Sequence, residues 1–287
     1  MINAGKGATN SMVGVHRIQP DLLSRKPDLV VVEYAVNDGS NTDIQEAYEN
    51  IIRRVLKSGA AVILLFINRE HGESVQDTQE KIGKHYDLPM ISFRDSVYPL
   101  IKDSTIAWSY YAADNVHPND TGHAMLGTLV NHYLALVYSD IENVKTVAPS
   151  IANPLISDSY ENATMYGASG LKPTSIGSFE VVPSPTYQFK NGWQTIGGTK
   201  PIVFEISKCK ILHLMILKNP DENAGKVRVT ANNSTTIINS RFPGGWGKYA
   251  EAVKIYSGNT EDKVIVTVTP EPTDEESTLT LLRVMVS

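Results

Sequence analysis

The sequence has 287 residues, of which 41% are hydrophobic and 20% are charged, as in a typical globular protein of one or two domains. The net charge of −5 gives no basic face for nucleic-acid phosphates, and no apolar run approaches the roughly 18 residues of a membrane span. We therefore expect neither a nucleic-acid nor a membrane partner. The single cysteine, Cys209, excludes an intramolecular disulfide and is expected to be a buried thiol.

The first half of the chain alternates between strand and helix patterns. Its first five residues are interpreted as the end of a strand that runs into a glycine-rich turn. The elements predicted after them are a strand at residues 29–34, a helix from the N-cap Thr42 (with Gln45 completing a capping box) to the stop at Gly59, a strand at 61–66, a helix at 74–85, a strand at 90–92 and a helix capped by Asn119. This alternation predicts a parallel sheet with helices on both faces.

The second half of the chain changes character. Residues 148–185 are rich in Pro, Ser, Asn and Gly and are predicted to begin as a linker. The strand-like runs that follow are residues 202–206, 211–217, 227–231, 264–269 and 279–286. Several short strands separated by turn residues suggest an antiparallel sandwich. We thus divide the chain into an α/β domain at residues 1–147 and a linker with an all-β sandwich accessory domain at residues 148–287.

Two polar segments in the first half are candidates for a functional site. Residues 3–11 form a glycine-rich turn without the spacing of a dinucleotide or P-loop motif, which argues against nucleotide binding. The Asn37-Asp38-Gly39 segment directly follows a predicted buried strand, and open α/β sheets place their sites at the carboxyl ends of strands. A plain turn explains the same three residues equally well.

A third segment pairs an acid with a base. Asp114 precedes His117 by three residues on a predicted loop that enters a helix. In that position the carboxylate can hold the imidazole in one tautomer while the histidine acts as a base. Asp114 with His117 and His123 could also suggest a metal site, but His123 should lie inside the helix and no other Cys/His cluster supports ligation. We therefore expect no metal.

Together and in this order, the three segments resemble the SGNH/GDSL hydrolase family over roughly residues 1–140. The resemblance assigns Gly7 and Ala8 to the block whose backbone N–H serves the oxyanion hole, and Asn37 to the block whose side chain serves the same hole. It makes Asp114 the acid and His117 the base. It also implies a flavodoxin-like three-layer α/β/α fold, ester hydrolysis by a serine nucleophile, and no metal or organic cofactor.

Two departures from the family pattern matter. Ala8 stands where many members have glycine, which is tolerable if its φ angle is negative. No Gly-Asp-Ser block occurs in the sequence, and Gly72-Glu73-Ser74 and Gly167-Ala168-Ser169 lack the strand-to-helix context of a nucleophile turn. We interpret the chain as a truncated form of a longer enzyme, without the family's first strand, the following helix and the serine between them. As given, it is predicted to be inactive.

The resemblance favours removal of O-acetyl groups from carbohydrate, with an acetylated oligo- or polysaccharide or another small ester as the partner. Trp108, Tyr110 and Tyr111 precede the acid–base segment and could line the substrate pocket, although helix packing explains them nearly as well. Trp193 and residues 242–247 could stack on sugar rings, but burial in the sandwich core is the favoured interpretation. The alternative function is a non-catalytic carbohydrate-binding protein with a decayed hydrolase domain. The sequence leaves oligomeric state and compartment open.

Overall fold

The computed structural model describes residues 1–144, 151–186, 188–271 and 278–287. The chain forms two compact units, which we call the α/β unit (Pro20–Asp158) and the β unit (Met1–Gln19 with Ser159–Ser287). The predicted boundary between residues 147 and 148, with the start of the predicted linker, falls outside the described residues. The sequence analysis assigned the N-terminal segment to the first domain, whereas its contacts group it with the β unit.

The α/β unit is built on a short parallel sheet. Its strands lie in the order β1-β2-β3, with Val30 opposite Val62 and Leu64 opposite Met90. The strands are β1 Leu29–Val32, β2 Ala61–Phe66 and β3 Met90–Ser92. The helices that follow α1 (Ser11–Asp21) are α2 Thr42–Lys57, α3 Gln76–His85, α4 Phe93–Ser96, α5 Tyr98–Lys102, α6 Trp108–Tyr111 and α7 Asp120–Ser139, with 3-10 turns at Leu23–Arg25 and Ile141–Asn143. The predicted alternation of strands and helices is confirmed.

The helix ends of this unit show what the local sequence specifies. The N-cap of α2 is Asn41, whose side chain accepts a hydrogen bond from the N–H of Ile44 at 3.1 Å, so the prediction of Thr42 as the cap is wrong by one residue. Gly59 follows the end of α2 at a φ of +86°, as its predicted role as the stop requires. Asn119 caps α7 as predicted, because its side chain accepts from the N–H of Gly122 at 2.9 Å.

The β unit is a large antiparallel sheet. Its strands are β4 Thr164–Tyr166, β5 Phe179–Val182, β6 Gly192–Thr195, β7 Ile202–Lys218, β8 Lys226–Ala231, β9 Ser234–Asn239, β10 Tyr249–Pro270 and β11 Thr280–Val286. They pair in the order β5-β6-β11-β7-β10-β8-β9, with β4 on β11. Phe179 and Ile238, from the two end strands of this order, belong to one buried core, as expected of the predicted β-sandwich.

Helix α1 is a feature that the sequence analysis did not predict. The side chain of Asn10 accepts a hydrogen bond from the N–H of Val13 at 3.3 Å, and every residue from Ser11 to Ile18 is buried. A helix that is buried on all sides has no amphipathic period to reveal it. Within the β unit the ring of His16 lies 5.7 Å from the rings of both Tyr160 and His213, which explains why the N-terminal segment groups with this unit.

No helix in the described parts of the chain has both the length and the apolar character to span a membrane. The first residues also differ from the prediction, because residues 1–6 form no strand.

Candidate active site

The structure brings Asp114 and His117 into direct contact. One carboxylate oxygen of Asp114 accepts from the backbone N–H groups of Val116 at 2.8 Å and His117 at 2.7 Å. The other oxygen lies 2.8 Å from Nδ1 of the His117 ring. The N–H of Ala113 donates to the carbonyl of His117 at 2.9 Å and closes the loop. The loop therefore fixes the carboxylate against the imidazole with three hydrogen bonds.

These hydrogen bonds determine the electrostatics of the pair. The backbone N–H of His117, the His117 ring and the N–H of Val116, in that order, lower the pKa of Asp114 to about 2. An ionised carboxylate at Nδ1 favours the tautomer that carries its proton there, which leaves Nε2 as a proton acceptor. The His117 side chain is 78% exposed, so Nε2 is accessible to a substrate or a nucleophile. The arrangement can act as a general base.

Helices α6 and α7 support this loop. The indole N–H of Trp108 donates to the carbonyl of Asp114 at 2.7 Å, and the N–H of Asn119 donates to the carbonyl of Tyr111 at 2.9 Å. Gly122 lies so close to α6 that a Cβ atom there would stand 2.1 Å from the Tyr111 carbonyl oxygen. Glycine is thus required at position 122 for the two helices to approach each other.

The three aromatic residues predicted for the substrate pocket differ in exposure. Tyr111 is fully buried and stacks on Phe93 with 4.0 Å between ring centroids, so it packs in the core and cannot line a pocket. The pocket prediction for Tyr111 is therefore corrected to the alternative of helix packing. Tyr110 is 59% exposed and Trp108 is partly exposed, and a substrate contact stays a prediction for both.

Asn37 lies exposed on a turn at the carboxyl end of β1. The carbonyl of Tyr34 accepts from the N–H groups of Asn37 at 3.1 Å and Asp38 at 3.0 Å. The N–H of Val75 donates to the carbonyl of Ala35 at 2.9 Å, which ties the turn to the start of α3. We call residues 33–38 the Asn37 turn. This segment is a turn, and it also positions the exposed side-chain amide of Asn37.

The loop at residues 113–117, which we call the acid–base loop, is connected to the Asn37 turn by a second turn at residues 69–73. The guanidinium of Arg69 donates to the carbonyl of Val36 at 2.9 Å. The N–H of the next residue, Glu70, donates to the carbonyl of Asn115 at 3.0 Å. Arg69 was not predicted as a site residue. The only signal for it in the sequence is a polar segment at the carboxyl end of a buried strand.

Gly7 and Ala8 lie in the β unit, so their place in a shared site stays a prediction. The carbonyl of Gly7 accepts from the side-chain amide of Gln188 at 3.0 Å, and the ammonium of Lys6 lies 5.5 Å from the centroid of the Phe189 ring. The φ of Ala8 is +54°. The condition that made alanine tolerable, a negative φ, is therefore not met.

No serine of the chain stands in a Gly-Asp-Ser sequence. Ser74 lies between β2 and α3, but residues 67–75 separate the two elements, so it does not stand on the sharp strand-to-helix turn of a nucleophile motif. Its hydroxyl accepts from the N–H of Gln76 at 3.2 Å, as in the first turn of an ordinary helix. Ser169 follows the short antiparallel strand β4, and no helix comes after it before β5.

No group of three or more His, Cys, Asp or Glu side chains that could hold a metal ion occurs where the structure is described. His123 is exposed on α7. Cys209 is buried, and burial raises the pKa of its thiol to about 12. The acid–base loop and the Asn37 turn therefore hold the groups of the candidate site.

The fold and these residues define a class of hydrolase. Residues 1–125 match the model of the GDSL-like Lipase/Acylhydrolase family, a stretch that includes both glycine-rich and Asn37 segments and the Asp114–His117 pair. The chain thus contains an SGNH/GDSL-type acylhydrolase domain, followed by a β-sandwich.

Two solved structures extend the likeness to the whole chain. The first is a two-domain esterase (CEX) active on acetylated mannans, co-crystallised with mannopentaose, with 26% identity and a TM-score of 0.89 over 100% of this chain and 79% of that chain. The second is the same kind of esterase without the oligosaccharide, again with 26% identity and a TM-score of 0.89, over 80% of that chain. A search of curated proteins gives no match.

Proposed function

We propose that the protein belongs to the esterases that remove O-acetyl groups from mannan-type carbohydrate. The observation that carries the proposal is the likeness of the whole chain, both units included, to an esterase active on acetylated mannans. The Asp114–His117 pair supports it, because ester hydrolysis by a hydroxyl nucleophile needs a base held in one tautomer.

In the proposed reaction, Nε2 of His117 takes the proton of a serine hydroxyl as its oxygen bonds to the acetyl carbonyl carbon. Asp114 stabilises the imidazolium that results. The side-chain amide of Asn37 donates to the oxyanion. The C–O bond to the sugar then breaks, and His117 returns the proton to the departing sugar oxygen. Water then attacks the acetyl-serine as His117 takes a proton from it, the bond to the serine oxygen breaks, and that oxygen receives the proton as acetate is released.

The nucleophile is the component that these residues do not supply. Because no Gly-Asp-Ser occurs in the sequence, we expect the 287-residue chain to hydrolyse esters at a background rate. Loss of the nucleophile in a serine hydrolase costs about a millionfold in turnover. We expect His117 and Asn37 still to contact an ester, since other residues of this chain hold the backbone at both positions.

NMR spectroscopy tests the proposal without turnover. The chain is titrated with acetylated manno-oligosaccharides, and the control is the same preparation after alkaline deacetylation. We expect the ring signals of His117 and the side-chain amide signals of Asn37 to shift more with the acetylated ligand. Equal shifts with both ligands, or none with either, would contradict a site for the acetyl ester.

A second candidate function, saccharide binding by the β unit alone, is supported by Trp246. Its side chain is 71% exposed, and one ring face stacks on Tyr249 with 5.4 Å between centroids and 28° between planes. Phe242 meets both rings edge-on. The other face of Trp246 is thus held open in a fixed orientation, which suits the apolar face of a pyranose. Trp193, in contrast, is fully buried and belongs to the core.

Calorimetric titration with unacetylated mannopentaose separates the two functions. We expect Trp246→Ala to weaken binding by at least tenfold, and Ile237→Ala, which removes an exposed apolar side chain elsewhere on the β unit, to leave it unchanged. Unaltered affinity in the Trp246 variant would rule out this surface as the binding site. Binding through Trp246 with no effect of acetylation in the NMR titration would favour the carbohydrate-binding protein over the esterase.

A further inference from the structure

Glu33 is an acidic side chain that the proposed reaction does not use. It directly follows β1 and is partly buried, four residues before the exposed Asn37. Its carboxylate accepts a hydrogen bond from the backbone N–H of Ala35 at 2.8 Å. Glu33 is the first residue of the Asn37 turn, and its side chain therefore stabilises the backbone of that turn.

The surroundings of Glu33 are aromatic and mostly buried. Tyr48 on α2 and Tyr111 on α6 are buried, and among the described residues neither hydroxyl has a hydrogen-bond partner. Burial first, and then the negative charge of Glu33 among others, raises the pKa of both phenols. Tyr34 and Asp38, on the Asn37 turn itself, also face this region, and the guanidinium of Arg69 reaches the turn at the carbonyl of Val36.

Two further anchors of the turn come from outside it. The N–H of Val75 donates to the carbonyl of Ala35, and the guanidinium of Arg69 donates to the carbonyl of Val36. Both are donors to carbonyl oxygens, whereas Glu33 is an acceptor for an N–H group. Glu33 thus supplies a side-chain acceptor for the N–H of Ala35 in this turn, and its strength as an acceptor depends on its charge.

We propose that Glu33 is a positioning residue for Asn37: its carboxylate holds the turn that presents the Asn37 amide, and the turn loosens when the carboxylate takes up a proton. The inference rests on the proposed function only in giving Asn37 the role of oxyanion donor. It assigns to this site a dependence on pH that arises at Glu33.

The pH range follows from the environment of the carboxyl. Burial raises the pKa of Glu33 to about 7, against the lowering effect of the N–H groups of Ala35 and Val36. Above this pH the ionised group accepts charge-assisted hydrogen bonds, which are shorter and stronger than those to a neutral acid. Below it the acid still accepts, but more weakly. The hydrogen bonds from the Asn37 turn to Glu33 are therefore strongest when the pH is above the pKa of Glu33.

The test is an NMR pH titration of the full chain between pH 5 and 9, which needs no turnover. The signals followed are the side-chain amide of Asn37 and the backbone N–H of Ala35, in the wild type, in Glu33→Gln and in His117→Gln. Glutamine keeps the size and the acceptor oxygen of Glu33 and removes its titration. Circular dichroism of each variant checks that the fold is intact.

We expect both signals to titrate with a midpoint near the pKa of Glu33, about 7, in the wild type and in His117→Gln, and to be flat in Glu33→Gln. A titration that persists in Glu33→Gln, or one that disappears in His117→Gln, would overturn the proposal, since a group other than Glu33 would then cause the change. A wild type without a titration in this range would overturn it too. Failure here leaves the response to acetylated ligand unaffected, so it is distinguishable from failure of the proposed function.

Discussion

Ala8 carries backbone strain at a single residue. Its φ of +54° lies in the left-handed region, where a Cβ atom costs roughly 1 kcal/mol and glycine costs nothing sterically. The turn around it is fixed from outside, because Gln188 donates to the carbonyl of Gly7. The strain is therefore imposed by the tertiary structure, which explains why the sequence alone left the sign of φ open.

We expect Ala8→Gly to stabilise the protein by relieving about 1 kcal/mol of backbone strain. The greater conformational entropy of glycine in the unfolded chain should offset part of this gain. Urea denaturation followed by circular dichroism measures the change. Ala4→Gly is the matched control, since Ala4 lies in the same segment and not at a positive φ. A loss of stability in both variants would mean that Ala8 is not strained.

At the element scale, α1 is joined to β7 through buried histidines. Burial lowers the pKa of His213 well below its ordinary value of 6.5, with a smaller contribution from His16. As the pH falls below 6.5, the unfolded chain binds a proton at this position before the folded chain does. Stability is therefore fully present above that pH and is lost below it, by up to about 1.4 kcal/mol for each pH unit.

Thermal unfolding between pH 5 and 8 tests this dependence. In His213→Gln the melting temperature should fall less steeply below pH 6.5 than in the wild type, because one buried titrating group is gone. His71→Gln, which changes an exposed histidine, should keep the wild-type slope. An unchanged slope in the His213 variant would exclude this histidine as the source.

Helix α2 holds the end of the α/β unit through one buried carboxylate. Glu49 accepts from the backbone N–H groups of Leu155 at 2.6 Å, Ile156 at 2.9 Å and Ser157 at 3.1 Å. The hydroxyl of Tyr86 also donates to it. Residues 155–157 are thus fixed to α2 by hydrogen bonds to the Glu49 side chain.

Glu49→Ala should destabilise the α/β unit by about 3 kcal/mol, since it leaves several N–H groups without their acceptor. Urea denaturation gives the free energy, and limited proteolysis should show faster cleavage near residues 152–157. The control Glu80→Ala removes a more exposed acid paired with Lys84 on α3 and should cost no more than about 0.5 kcal/mol. Similar costs for the two variants would contradict a special role of Glu49.

Elements with local signals were predictable from the sequence. The strands β2 and β3 begin and end at the predicted residues, and Asp114 and His117 are three residues apart, so one loop brings them together. Arg69 could not be found in this way, because it meets Val36 across 33 positions. The sequence Ser257-Gly258-Asn259, which is typical of a turn, lies inside β10, where shifts of register in the pairing with β7 accommodate it.

For the whole molecule, we propose an acylhydrolase site with His117 as its base, Asp114 as its acid and Asn37 as its oxyanion side chain, in a sequence without a Gly-Asp-Ser block. The β-sandwich and the GDSL-type domain were predictable as classes, since periodicity and three motifs carry them. The grouping of residues 1–19 with the β unit was not, because it depends on contacts with residues more than a hundred positions away.

Acetate release from acetylated mannan by the 287-residue chain tests whether the proposed site lacks a nucleophile. We predict a rate equal to that of His117→Ala, because a base without a nucleophile gives no acyl-enzyme. Release faster than in the His117 variant would contradict the account and show that a residue of this chain acts as the nucleophile. Ser74, between β2 and α3, would then be the first position to replace.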